Sequence, residues 1–193
     1  MNSRILYPLD FVAVSGIPLD IRYACSDNFT GSKLPGYERP KALLRKHVAE
    51  ALWQVQHSLL SQGLSIYIFD AYRPQRAVDA MVKWAELNDP NMLVMNYVAR
   101  RSSHSRGIAV DVTLARVCNI HGVIPVDMGT EFDSFSELSH TAHPEISPEQ
   151  KYWRQLLVSE MGHMGFVNYE REWWHFTYQG TGIAGGWYDF CTW

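Results

Sequence analysis

The sequence is short of several things, and each shortage removes a class of protein. Cysteine appears three times in 193 residues, at Cys25, Cys118 and Cys191, far apart and with no CxxC pair. That excludes a disulfide framework and a thiolate zinc knuckle, and it suits free thiols in a reducing compartment. Charge is nearly balanced, at −3 net, so there is no basic footprint for nucleic acid or anionic lipid. No apolar run approaches the roughly 18 residues of a membrane span. The opening stretch MNSRILYPLDFVAVSG is broken by Pro8 and Asp10 and lacks the apolar core of a signal peptide. These absences predict a soluble cytoplasmic protein, or a periplasmic one if a leader has been removed. A glycine-rich phosphate loop, internal repeats, low-complexity tracts and linkers are also missing, so residues 1–193 are expected to form one domain.

Aromatic residues, by contrast, are abundant, with seven Trp, ten Tyr and eight Phe to fill a core or line a small-ligand pocket. Residues 17–23 have the composition of a short strand, and 26–40 carry Asn, Gly and Pro at turn spacing, as a long loop does. From 41 to 62 the apolar residues recur at helical spacing, between Pro40 and Gly63. A β-rich run at 64–72 is followed by helical periodicity over 74–88, and residues 107–114 form a second core strand. Ser147, Pro148 and Gln150 open a helix over 147–166 with a capping-box pattern. The last strand is expected over 167–178. Without regular βαβ units, this order predicts an α+β fold with a mostly antiparallel central sheet flanked by helices.

The chemistry concentrates at the ends of these elements. In SSHSRGIAVD (102–111), His104 and Asp111 flank the turn into a strand, with Gly107 suited to a tight backbone between them. A bare Asp111 inside an apolar strand would be costly to bury, and a metal ion would resolve that cost. In EWWH, Glu172 and His175 lie in the last strand. His104, Asp111 and His175 would supply the three protein ligands of a catalytic zinc, leaving Glu172 as the general base that activates water. On an ideal strand, however, residues i and i+3 point to opposite faces, so a bulge or strand start must lie near 172–174. The other histidines are given less: His47 and His57 sit on the first helix without a role, and His140, His143 and His163 form a weaker second cluster. Trp173 and Trp174 are assigned to packing. Arg73 follows an apolar strand in FDAYRP and has two readings, a salt bridge with Asp70 or a cation that stabilises an oxyanion.

The patterns SxHxxGxAxD (Ser102, His104, Gly107, Ala109, Asp111) and ExWH (Glu172, His175) resemble those of the zinc D-alanyl-D-alanine peptidases, whose fold is shared by the hedgehog signalling domain. RYACSDNFTG, GYE, FDAYRPQRA, MGTEFDSFSELSH and GFVNYEREWWHF narrow the resemblance to the VanX-type D-Ala-D-Ala dipeptidases over nearly the whole chain. Phe69 departs slightly from the pattern without touching a chemical residue.

The resemblance implies one zinc per chain on His104, Asp111 and His175, and hydrolysis of a free D-Ala-D-Ala dipeptide to two D-Ala. It implies Glu172 as base and then acid, with Arg73 on the oxyanion. Ser102 and Tyr23 would hydrogen-bond the substrate, Asp133 would contact its ammonium, and Tyr37 would line the pocket. Three alternatives remain open at this point: a D,D-carboxypeptidase acting on peptidoglycan stem peptides, a non-catalytic zinc-stabilised binding domain, and a metal-free binding protein. The sequence carries no information on oligomeric state. It also does not choose between nutrient recovery and depletion of the dipeptide in glycopeptide resistance.

Overall fold

The computed structural model, which describes residues 8, 10–118, 122–181 and 185–193, is organised around one long strand. This strand, β4 (Ala109–Cys118), is buried along its first seven residues. Its apolar side chains fill both faces, and Asp111 and Thr113 are the polar exceptions within that buried run. On one edge β4 pairs antiparallel with β3 (Leu64–Asp70). On the other, β7 (Glu172–Tyr178) takes the first part and β5 (Gly122–Pro125) the last. β6 (Phe166–Tyr169) pairs with β7 at the edge, giving the order β3-β4-β7-β6. A separate two-stranded sheet joins β1 (Phe11–Ala13) to β2 (Leu43–Arg45).

Helices cover the sheet. α1 (Lys46–Leu60) buries Val48, Leu52, Val55 and Leu59 at helical spacing and packs on β3. Its one buried polar side chain, Gln56, accepts from the Ile66 N–H and hydrogen-bonds Ser65 Oγ, so its burial leaves the amide satisfied. α4 (Pro148–His163) packs on β4, β6 and α1. It opens with the capping box expected from the sequence: Ser147 Oγ accepts from the Gln150 N–H, and Gln150 Oε1 accepts from the Ser147 N–H. Such a cap is worth about 1 kcal/mol. α2 (Gln75–Asn88) and the short α3 (Asn91–Val94) pack on each other. Residues 187–192 run back across Tyr72 in a strap described below.

The α+β class and antiparallel sheet agree with the sequence reading; several boundaries do not. Residues 17–23 form a single bridge, Leu19 with Ile68, followed by a 3-10 turn at Arg22–Ala24. Pro18 has no N–H to donate, so contact with β3 is reduced to two bonds, Ile68 N–H to Pro18 O and Asp20 N–H to Ile68 O. The first helix begins at Lys46 because Leu43–Arg45 pair with β1. The single strand expected over 167–178 is a hairpin that turns at residues 170–171.

Candidate active site

The metal-ligand candidates meet because β4 and β7 are in register there, Asp111 opposite His175. His104 arrives from a 3-10 turn, Ser103–Arg106, capped by Ser102 Oγ accepting the His104 N–H. Gly107 ends that turn at φ +68°, and a Cβ there would collide with the Phe11 ring. This is the tight backbone the sequence suggested.

His104 and Asp111 are buried, and ring hydrogen bonds orient both imidazoles. His104 Nδ1 lies 2.6 Å from Ala71 O and donates to it, so Nε2 is left with its lone pair. His175 Nε2 faces Thr177 Oγ1 and Ser103 Oγ at 3.3 and 3.5 Å. Its Nδ1 then turns inward. His104 Nε2, His175 Nδ1 and Asp111 Oδ1 form a triangle with edges of 3.0, 3.1 and 3.2 Å. Ligands of a tetrahedral ion at about 2.0 Å sit roughly 3.3 Å apart, so the triangle has the size of one face of such a shell. Three electron-pair donors aimed at one point fit a cation. Among the described residues this is the one such group of three.

The electrostatics agree with that fit. Burial opposes ionisation of Asp111, but the charge and N–H bonds of protonated His104 and His175 outweigh it and hold the carboxyl well below its usual range, a role that a cation on the triangle would take over. Burial lowers the His175 pKa, which favours the neutral ring, the form that ligates metals.

Two irregularities bring other groups to the triangle. In β3 the register slips by one residue between Ile68 and Asp70, which sets Asp70 opposite Asp111. Arg73 follows. Its Nε donates to Asp70 Oδ2 at 2.8 Å, its Nη2 to Asp111 Oδ2 at 3.0 Å, and its guanidinium lies 4.7 Å from the Tyr23 ring centroid. The salt bridge with Asp70 thus exists, but it is buried and ends beside the candidate metal ligands. Tyr37, expected to line the pocket, does not reach it. It is fully buried behind Asp70 and donates to Asp70 Oδ1 at 2.7 Å, because the segment around Gly36 packs against Pro74.

In β7 the slip is larger. Tyr169 pairs with Glu172 and Asn168 with Phe176, so residues 173–175 have no partner in β6. Glu172 is the first residue of β7, and this bulge lets Glu172, Trp174 and His175 all line one cavity. Trp173 points away and donates to Thr130 Oγ1. Burial raises the Glu172 carboxyl well above its usual range, and the negative charges of Asp111 and Asp133 add to the rise. A cation on the triangle would act in the opposite sense.

The far wall is loop. Residues 128–140 are held by the buried Arg154 of α4, whose guanidinium donates to Met128 O, Leu138 O and His140 O. On this loop Asp133 takes a left-handed φ of +61°, uncommon for a residue with a Cβ. Its two carboxylate oxygens share the Tyr23 hydroxyl at 2.9 and 3.0 Å. Burial pushes the Asp133 pKa up to about 8.

The cavity between these walls measures about 250 Å³, below the roughly 300–1,000 Å³ of drug-sized pockets. Tyr23, Arg73, Ser102, His104, Asp111, Asp133, Glu172 and His175 all line it. Of the nine site residues expected from sequence, Tyr37 alone lies outside. The sequence reading missed Phe29, Met81, Tyr97, Phe135 and Tyr169, which also line it. The high aromatic content signalled a lined pocket but not its positions. His140 and His143 are engaged elsewhere: His140 Nε2 with the Tyr97 hydroxyl, and His143 Nδ1 with the Glu145 N–H.

Comparison with known proteins bears on the same residues. The sequence pattern of the Peptidase M15 family, described as D-ala-D-ala dipeptidase, matches residues 4–192. A D-alanyl-D-alanine dipeptidase of Enterococcus faecium is 35% identical over 191 residues, covering 92% of this chain and 93% of the relative. One from Escherichia coli K12 is 41% identical over 160 residues, covering 83% and 78%. One from Streptomyces coelicolor is 34% identical over 191 residues, covering 92% and 93%. In fold, the chain is similar to the LD-carboxypeptidase LdcB, with a TM-score of 0.55 at 17% identity over 90% of this chain and 70% of that one. Among the described residues no helix is long and apolar enough to cross a membrane.

Proposed function

The chain belongs to the D-Ala-D-Ala dipeptidase family of metallopeptidases, and from that premise we propose that it hydrolyses free D-Ala-D-Ala to two D-Ala with one zinc ion. The observation that carries this reading is the pairing across one small cavity. A three-donor triangle with Glu172 beside it faces a half-buried acid, Asp133, on the opposite wall. His104, Asp111 and His175 would hold the ion, which supplies a Lewis acid and brings the pKa of water to about 7.

The chain's own residues then divide the work. Asp133 and the Tyr23 hydroxyl take the substrate ammonium and fix one end of the dipeptide. Ser102, at the cap of the His104 turn, hydrogen-bonds the other end. Glu172, buried in the cavity wall, accepts the proton of the attacking water. It later returns that proton to the leaving amine. Arg73 is clamped by Asp70 and needs no rearrangement to face negative charge developing on the carbonyl oxygen.

The decisive assay offers purified, zinc-loaded protein two substrates in parallel, free D-Ala-D-Ala and N-acetyl-D-Ala-D-Ala, and measures D-Ala release. Cleavage of the free dipeptide alone is expected, because acylation removes the cation that Asp133 requires. Cleavage of the acetylated substrate would move the protein to the carboxypeptidase reading.

A further inference from the structure

Glu172 and His175 share the cavity because the chain between them leaves the sheet register, and a bulge of that size needs something to hold it. Three residues of β7, 173–175, have no partner in β6. The gap is bridged by one side chain. Asn168, the last β6 residue in regular register, donates its amide to Glu172 O at 3.1 Å and His175 O at 3.0 Å, with Trp173 O at 3.5 Å. An amide nitrogen has two hydrogens, so the two short contacts saturate it.

The amide is itself oriented. Asn168 Oδ1 accepts from Thr141 Oγ1 at 2.6 Å, and the Thr141 N–H donates to Glu170 O across the turn between β6 and β7. A flipped amide would set its oxygen against the carbonyls and lose the Thr141 bond. The preceding residue, His140, gives its carbonyl to Arg154, the same guanidinium that holds the loop bearing Asp133.

We propose that Asn168 is a positioning residue that sets the relative placement of the base Glu172 and the ligand His175 by clamping both their carbonyls, with Thr141 fixing its orientation. The claim deepens the dipeptidase reading and rests on it for the role of Glu172. It names no group that touches substrate: Asn168 works only through the backbone of the two residues it bonds. The chemistry predicts a split. Asp133, Tyr23 and Ser102 stand on other segments, so substrate binding should survive a slackened bulge, whereas metal binding and turnover should not.

Three variants test this. Asn168→Asp keeps the shape but replaces the donor with acceptors facing carbonyls, Asn168→Leu removes all polar contact, and Thr141→Val leaves the amide in place without its orienting partner. Each is compared with the wild-type chain for zinc affinity, by titration against a chelator, and for kcat and KM on D-Ala-D-Ala. Thermal melting checks that each variant is folded. For both Asn168 variants, zinc affinity and kcat are expected to fall about 10- to 100-fold, with KM changing less than about 3-fold. Thr141→Val should fall in the same quantities, by about 3- to 10-fold. Folded Asn168 variants with wild-type zinc affinity and kcat would overturn the proposal, as would a fall in kcat matched by an equal loss of substrate binding. A wild-type chain that binds zinc but leaves the dipeptide intact would sink the dipeptidase reading alone, since the zinc titration still tests the clamp.

Discussion

The two flanks of β4 reach the candidate site by different means. On the β3 side the irregularity is one residue, and what it delivers is held by charge. Asp70 is wedged between Arg73 and the Tyr37 hydroxyl, with Asp70 and Tyr37 fully buried. On the β7 side three residues leave the register, and what they deliver is held by neutral hydrogen bonds to main-chain carbonyls. The difference matches the chemistry proposed for each flank. Arg73 has to present a fixed charge, and an ion pair provides one. Glu172 has to exchange a proton, and a charged partner at bonding distance would pin its protonation state. Bulges collect beside active sites because they re-aim side chains without moving the sheet.

The comparison breaks most sharply at its reactive member. Glu172→Ala should retain zinc and lose about 10²- to 10⁴-fold in kcat. Near wild-type turnover in the zinc-loaded variant would remove Glu172 from its role. On the other flank, Arg73→Met should cost about 10²- to 10³-fold in kcat, with KM much less affected, the signature of a group that acts on developing charge.

Asp133 belongs to neither flank, so its removal should have the opposite kinetic form. Asp133→Asn should raise KM for the free dipeptide about 10- to 100-fold, the worth of a hydrogen bond to a charged group, and should narrow the preference over the N-acetyl substrate. The pH dependence has a definite sign. With its pKa near 8, Asp133 in the free protein carries a proton at pH 6 and must shed it to accept an ammonium. KM should therefore fall as pH rises from 6 towards 8, and Asp133→Asn should flatten that limb; an unchanged slope would show that another group sets it. Of these four positions, the smallest effect is expected at Asp70. Asp70→Asn keeps the shape beside Tyr37 but weakens the hold on Arg73, so a loss of about 10-fold in kcat should appear without a change in zinc affinity. A larger loss than in Arg73→Met would mean that Asp70 does more than hold the arginine.

These contrasts also explain what could be read from the chain. His104, Asp111 and Gly107 lie within eight consecutive residues, and a carboxylate inside an apolar strand is a local anomaly that needs no structure to notice. The capping box at Ser147 is equally local and forms as expected. The requirement for a bulge near 172–174 also followed from the two-residue period of a strand. What supplies that bulge did not, because Asn168 acquires its meaning only when β6 folds back beside β7. Tyr37 was misplaced for the same kind of reason: whether a tyrosine faces a cavity or stands behind its wall depends on the packing of Gly36 against Pro74. The β1–β2 pair was missed because three-residue strands carry too little periodicity to register.

The strap of residues 187–192 gives the site a place in time. The Tyr188 N–H donates to Ser105 O, next to His104, and Tyr188 O accepts from the Gln75 N–H just after Arg73. The Phe190 ring stacks on Tyr72 at 4.1 Å, and the Thr192 N–H donates to Gly36 O. Every partner was synthesised long before the strap that backs it. These contacts close longer loops than the β4–β7 pairing, at a small further entropic cost, and the strap is expected to dock after it. The sheet can therefore assemble, with β4 and β7 paired, before the turn bearing His104 and the segment bearing Arg73 are locked from behind. Competence for chemistry should be the last property this chain gains on refolding, after its secondary structure is complete.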